Sequence, residues 1–194
     1  MRCGWLLGPM ALILAGCATV NTVSEPVILP DTVTAIRTWS MDGRIGVKAK
    51  DQAWQANLVW EHDPQQDRLR ISGPLNQGLV SVIVQKDLIY INEGNGVSEL
   101  SKDPDAALRK KLGFAVPLGS LRYWIMGVPD PDRSSSPLGS STVAADAEGF
   151  LQSGWTVQPD KMANVNGWML PRTLNVQGAG VKLKILADNW MIKD

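Results

Sequence analysis

Polar and apolar residues alternate with a period of two along most of the chain beyond residue 38. Trp54, Ala56, Leu58 and Trp60 fall on one side of one such run, while Gln55, Asn57 and Glu61 share the other with Val59. This is the pattern of a half-buried antiparallel strand. Leu69 and Ile71 alternate with Arg68, Arg70 and Ser72, and near the end Val181, Leu183 and Ile185 alternate with Lys182 and Lys184. Residues 43–50, 79–84, 88–92, 155–158 and 170–177 read as further strands, spaced by turn formers such as Lys86-Asp87 and Gly94-Asn95-Gly96. Many short strands in succession predict a mainly β (α+β) body, a curled sheet or barrel. Two helical segments interrupt them. Asp103 is placed to cap a helix with Pro104 at its first position, Leu108 and Leu112 fall four apart, and Gly113 suits a left-handed end. A second helix is predicted from Pro117, with Leu118, Leu121, Trp124 or Ile125, and Val128 on one stripe, stopping at 127–129. Both are expected across the mouth or edge of the sheet.

The first residues break this pattern. An apolar run from Trp5 to Leu14 follows Met1-Arg2 and closes on Leu14-Ala15-Gly16-Cys17. It is too short for a bilayer, which needs about 20 apolar residues. Its charge, length and small residues before a cysteine resemble a bacterial lipoprotein signal, cut ahead of Cys17 and leaving that residue to carry acyl chains. Ordinary secretory cleavage is the alternative. Acyl chains contribute about 0.8 kcal/mol per buried CH₂, so two or more hold a protein on a membrane without spanning it. In such lipoproteins an aspartate after the cysteine favours the inner membrane, and Ala18 here implies the outer one. The expected organisation is a signal peptide over 1–16, a lipidated N-terminus and tether over 17–38, rich in Pro, Ser, Thr and Asn, and a single domain over 39–194. Residues 129–141, rich in Ser, Pro, Asp and Gly, read as a surface loop.

Composition narrows the chemistry. Cys3 leaves with the signal and Cys17 is capped by lipid, so the mature chain has no thiol for a disulfide. The 19 basic and 19 acidic residues balance, which gives nucleic acid no reason to bind. His62, the one histidine, precedes Asp63-Pro64 at a strand end and reads as a surface turn residue. No histidine cluster, triad or Gly-rich phosphate loop points to a metal, a cofactor or a reaction. Asp130 and Asp132, in a proline-rich loop, read as solvated. The chain has 8 tryptophans, of which only Trp5 lies in the signal, beside two phenylalanines and two tyrosines. Indoles line apolar pockets well but pack tightly only when the N–H finds a partner. An acyl-binding cavity and an ordinary filled core both fit this composition. Ser72-Gly73-Pro74-Leu75-Asn76-Gln77-Gly78 sets one large apolar side chain among turn formers, so Leu75 either folds back or stands at a loop tip facing solvent.

Together Gly43-Arg44-Ile45-Gly46-Val47, Ser72-Gly73-Pro74-Leu75, Leu121-Arg122-Tyr123-Trp124-Ile125-Met126-Gly127-Val128-Pro129, Gly154-Trp155, Leu170-Pro171 and Val181-Lys182-Leu183-Lys184 with Trp190 resemble the LolB family of outer-membrane lipoprotein receptors. The resemblance implies an unclosed antiparallel β-barrel with a helical lid over a hydrophobic cavity, working as a monomer on the periplasmic face of the outer membrane. It implies that the cavity accepts acyl chains of lipoprotein cargo from the periplasmic carrier LolA, and that the cargo then enters the outer-membrane lipids. The residues expected to line the cavity are Trp54, Leu58, Trp60, Leu69, Ile71, Leu121, Trp124 and Ile125. Leu75, with Gly73 and Pro74, matches the family's membrane-insertion loop. Asn76 and Gln158-Pro159 depart from the family pattern, which leaves loop stiffness and the strand boundaries between Lys161 and Trp168 open. The rival readings are a lipid-anchored binder of another apolar ligand and a lipoprotein hydrolase.

Overall fold

The structure, a computed structural model, describes residues 30–50, 52–73, 78–139 and 149–193. Among them, 11 strands form one antiparallel sheet in the order β6-β5-β4-β3-β2-β1-β11-β10-β9-β8-β7, which leaves β6 and β7 as free edges. The strands are β1 (Thr38–Ala49), β2 (Gln52–Asp63), β3 (Gln66–Ser72), β4 (Val80–Gln85), β5 (Leu88–Asn92), β6 (Ser98–Ser101), β7 (Ser135–Pro137), β8 (Phe150–Gln152), β9 (Trp155–Val165), β10 (Trp168–Gly178) and β11 (Val181–Lys193). The helices are α1 (Pro104–Leu112) and α2 (Leu118–Trp124). The chain is therefore a meander cut once, between β6 and β7, by the helical segment. The two halves of the meander join through the pairing of the first strand with the last, β1 with β11, and the sheet stays open between β6 and β7. The unclosed antiparallel architecture with two helices is as expected.

Alternation decides which face is core. On β11, Val181, Leu183 and Ile185 are buried while Lys182 and Lys184 are exposed. Leu58 and Trp60 on β2 are buried, as are Leu69 on β3 and Val82 on β4. Lys86-Asp87 turns β4 into β5 as predicted, with Lys86 in the left-handed region. The Asp103 side chain accepts from Ala106 N–H at 2.9 Å and Gly113 closes α1 at φ 79°, the cap and stop read from sequence. The helix α1 lies beside β5 and β6, where Lys110 pairs with Glu99 and Lys111 with Glu93. Lys110, chiefly by its hydrogen bond, holds the Glu99 carboxyl below the usual range.

Several boundaries differ from the pattern. A short 3-10 helix at Pro30–Ala35 precedes β1, and Val33 and Ile36 are buried, so the folded body reaches back ahead of Trp39. The strand β9 runs on to Val165 through Pro159. Only its first part, to Val157, pairs with β8, so Pro159 sits on an unpaired edge where its missing N–H costs no ladder bond. Asn166-Gly167 then turns directly into β10 at Trp168, which resolves the open boundary. The loop expected at 129–141 contains the three-residue edge strand β7, and β6 and β8 were also unread. The second helix ends at Trp124, three residues before the predicted stop.

One glycine holds the seam. The β1–β11 register shifts between Asp42 and Gly43, and a Cβ on Gly43 would stand 1.9 Å from the Leu186 carbonyl oxygen. Backbone is not free to move there, so Gly43→Ala forces the first and last strands apart. Overpacking of this kind costs about 1–3 kcal/mol, and the urea midpoint of Gly43→Ala is expected to fall accordingly. An unchanged midpoint would show that the bulge absorbs the methyl group.

Candidate functional site: the inner face and its helical cover

The expected cavity residues come together. Trp60 faces Leu69 and Leu58 faces Ile71 across β2 and β3. From the other side α2 brings in Leu121 and Trp124, followed by Ile125. All eight belong to one apolar cluster: Leu58, Trp60, Leu69, Leu121, Trp124 and Ile125 are buried within it, and Trp54 and Ile71 are half-buried against it. Trp54 lies farthest along β2, opposite the buried Val47. Trp60 and Trp124 are 0% exposed and Leu58 1%. A side chain with no water-accessible surface does not border a hollow wide enough for water, still less for an acyl chain. In this conformation the interior around these three is filled, the second of the two arrangements the composition allowed.

Three buried indoles meet the requirement that limits tryptophan packing, whereas the buried Trp39 Nε1–H has no hydrogen-bond partner among the described residues. Trp124 Nε1–H donates to Gln152 Oε1 at 2.7 Å, Trp190 Nε1–H to the Pro171 carbonyl at 2.9 Å, and Trp60 Nε1–H to Asp67 Oδ1 at 3.0 Å. Trp39 packs at a tilt against Trp60 and edge-on against Trp190, ring centroids 5.4 Å apart in each pair, and at a tilt against His62 at 5.3 Å. Such ring pairs add stability beyond area buried.

Two polar knots fasten α2 to the sheet. Asp67, only 5% exposed on β3, accepts at Oδ1 from Trp60 and from His62 Nδ1 at 2.9 Å, and at Oδ2 from Arg122 Nη1 of α2 at 3.3 Å. A carboxylate only accepts, so its position assigns the hydrogen to His62 Nδ1. The second knot is Gln152 on β8, 1% exposed. Its Oε1 accepts from Trp124 and from Asp130 N–H at 2.9 Å, while Nε2 donates to the carbonyls of Asp130 and Arg133. Ser120 Oγ–H donates to Asp130 Oδ2 at 2.7 Å. These contacts correct two expectations. His62 is a half-buried strand residue rather than a surface turn residue, because Asp67 on the adjacent strand and Trp39 on β1 receive it, and Asp130 is buried rather than solvated, because Ser120 of α2 and Gln152 of β8 partner it. The alternation pattern carries no signal for such partners.

Of the loop, Gly73 is described and its carbonyl accepts from Asn57 Nδ2–H at 3.5 Å. Pro74 and Leu75 lie outside the described residues, as does Cys17. Just past the loop, Leu79 is 44% exposed. The Gly94 turn comes so close that a Cβ there would stand 2.9 Å from the Leu79 carbonyl oxygen, and Val97, at the far side of that turn, is 48% exposed. These apolar neighbours of the loop were not singled out from sequence. Their exposure depends on which strand ends gather there. Among the described residues, no helix is long and apolar enough to cross a membrane.

Comparison with known proteins places this architecture. The outer-membrane lipoprotein of Stutzerimonas stutzeri named LolB is 30% identical over 198 residues, spanning 95% of this chain and 94% of that protein. LolB of Ectopseudomonas mendocina is 27% identical over 95% of this chain and 94% of its own. In fold, the chain is similar to the solved structure of a LolA superfamily protein from Nitrosomonas europaea, with a TM-score of 0.51 at 10% identity, covering 84% of this chain and 91% of the other. The family pattern described as "Outer membrane lipoprotein LolB" matches residues 37–190, nearly the whole folded body from β1 to β11, and the chain therefore belongs to the LolB family of outer-membrane lipoproteins that serve lipoprotein sorting.

Proposed function

We propose that this protein takes acylated lipoproteins from the periplasmic carrier LolA by accommodating their acyl chains between α2 and the inner face of β2–β3, and then releases them into the outer membrane. It acts as a monomer and performs no covalent chemistry. The observation that carries the reading is the apolar interior closed by a short helix held at its two polar knots. The helix α2 has 7 residues, and four of them, Leu118, Ser120, Leu121 and Trp124, are buried. Lifting such a helix exposes apolar sheet and helix surface at once, which acyl chains can cover in place of the lost packing. Bound cargo would thus select the open arrangement by its differential affinity. Transfer onward needs no nucleotide, because the acyl chains are buried better still in a bilayer. Lipid on Cys17 holds the body at the periplasmic face of that membrane, and the tether expected within 17–38 gives it reach. The loop carrying Leu75, with exposed Leu79 and Val97 beside it, forms the end that meets the bilayer.

Cargo with a photoreactive group in its acyl chain tests this. Label is expected on the inner faces of β2 and β3 and on 121–125. Label confined to the outer face of the sheet, or carried by the loop alone, would contradict it. The binder of another apolar ligand separates from this reading by failing to pass cargo on.

A further inference from the structure

The outer face of the sheet carries a feature that acyl binding does not use. Across β2, β1, β11, β10 and β9 the registers align Gln55, Gly46, Lys184, Asn175 and Gln158 in one row. Lys48 and Lys182 face each other in the next row. Together they line a groove of about 710 Å³. Gly46 contributes no side chain, so the floor is low between flanking amides and ammonium groups. Among the described residues no carboxylate lines the groove. Lys48, Lys182 and Lys184 are exposed, and among the described residues none of the three makes an ion pair. Farther along the same strands Arg44 is neutralised by Asp188 at 2.9 Å, and Asp160 stands two residues past Gln158. A chain of balanced charge thus concentrates three unpaired cations, with amide donors between them, in one hollow.

Position selects the occupant. The groove occupies the end of the sheet where β1 finishes, β2 begins and β10 turns into β11. The loop starts at Gly73, held by Asn57, which is two residues from Gln55 on the same face of β2. Leu79 and Val97 are exposed at this end as well. We propose that the groove binds the phosphates of anionic phospholipid headgroups, docking this end of the barrel on the membrane. The inference rests on the reading that this end meets the bilayer, and adds the lipid class it recognises. Each lysine close to an anionic surface raises affinity about fivefold, so three together account for about a hundredfold, and salt screens the effect.

The test uses the full mature chain with Cys17→Ala, so that the acyl anchor does not mask weaker binding, and vesicles of phosphatidylcholine with or without phosphatidylglycerol. Phosphatidylglycerol is expected to strengthen binding, and K48Q/K182Q/K184Q to remove most of that gain. The control K86Q/K102Q, which deletes two exposed lysines elsewhere, is expected to keep it. Equal gain in parent and triple variant would overturn the proposal, as would no response to phosphatidylglycerol or an equal loss in the control. Loss of cargo uptake from LolA with vesicle binding intact would make the groove a carrier contact and overturn it too. All five positions are exposed, and an unchanged thermal midpoint verifies the fold. Uptake of cargo by the triple variant, measured alongside, reports on the receptor reading independently.

Discussion

Leu75→Glu is expected to leave cargo uptake from LolA intact and to stop delivery into membranes. Burying a leucine in hydrocarbon contributes about 2 kcal/mol, or roughly thirtyfold in an equilibrium, and a carboxylate in its place adds a desolvation cost to the lost gain. In the proposed reading Leu75 serves the membrane and the apolar cluster under α2 serves the acyl chains, so the two steps should separate cleanly. Labelled lipoprotein measured first on the protein and then in vesicles distinguishes them. Uptake failing together with delivery would mean that Leu75 serves the interior, and equal delivery by both forms would mean that the loop does not reach the bilayer.

Asp67→Ala is expected to cost about 3 kcal/mol, a large part of the 5–15 kcal/mol that holds a typical domain. The carboxylate ties Trp60 and His62 on β2 to Arg122 on α2. Its removal strands a buried indole N–H and leaves a guanidinium near apolar surface. The Arg122 side chain is one-third exposed and keeps some water, so the loss stays below that of a wholly buried pair. The urea midpoint should fall, and amide exchange over 118–124 should rise more than exchange in β1 and β11. Uniform acceleration across the sheet would show that Asp67 supports the fold without specifically fastening the helix.

The long strands with one face buried and the other in solvent were legible because one-sided burial imposes a period of two. Leu58, Trp60, Leu69, Ile71, Val181, Leu183 and Ile185 all stand on the face that their alternation assigned. The start of α1 was legible for a different reason: a capping aspartate, a following proline and a terminal glycine act within a few residues of one another. Three-residue strands such as Ser135–Pro137 offer no alternation to read, and their pairing comes from β8 and β9 downstream. Asp130 looked solvated because its loop is rich in proline and aspartate, whereas its burial is decided by Gln152 and Ser120. Lys182 and Lys184 were visibly on the outer face, but Lys48 joins them only through the β1–β11 register. Membership of the inner cluster could be read, whereas its closed state could not, since that depends on how far α2 descends onto the sheet.

Transfer of a labelled lipoprotein from LolA to outer-membrane vesicles tests the central claim most directly. The account predicts that label leaves the carrier only when this protein is present, passes through a complex with it, and finishes in the membrane without nucleotide. Label that stays on the carrier, or reaches the vesicles equally fast without the protein, would contradict it.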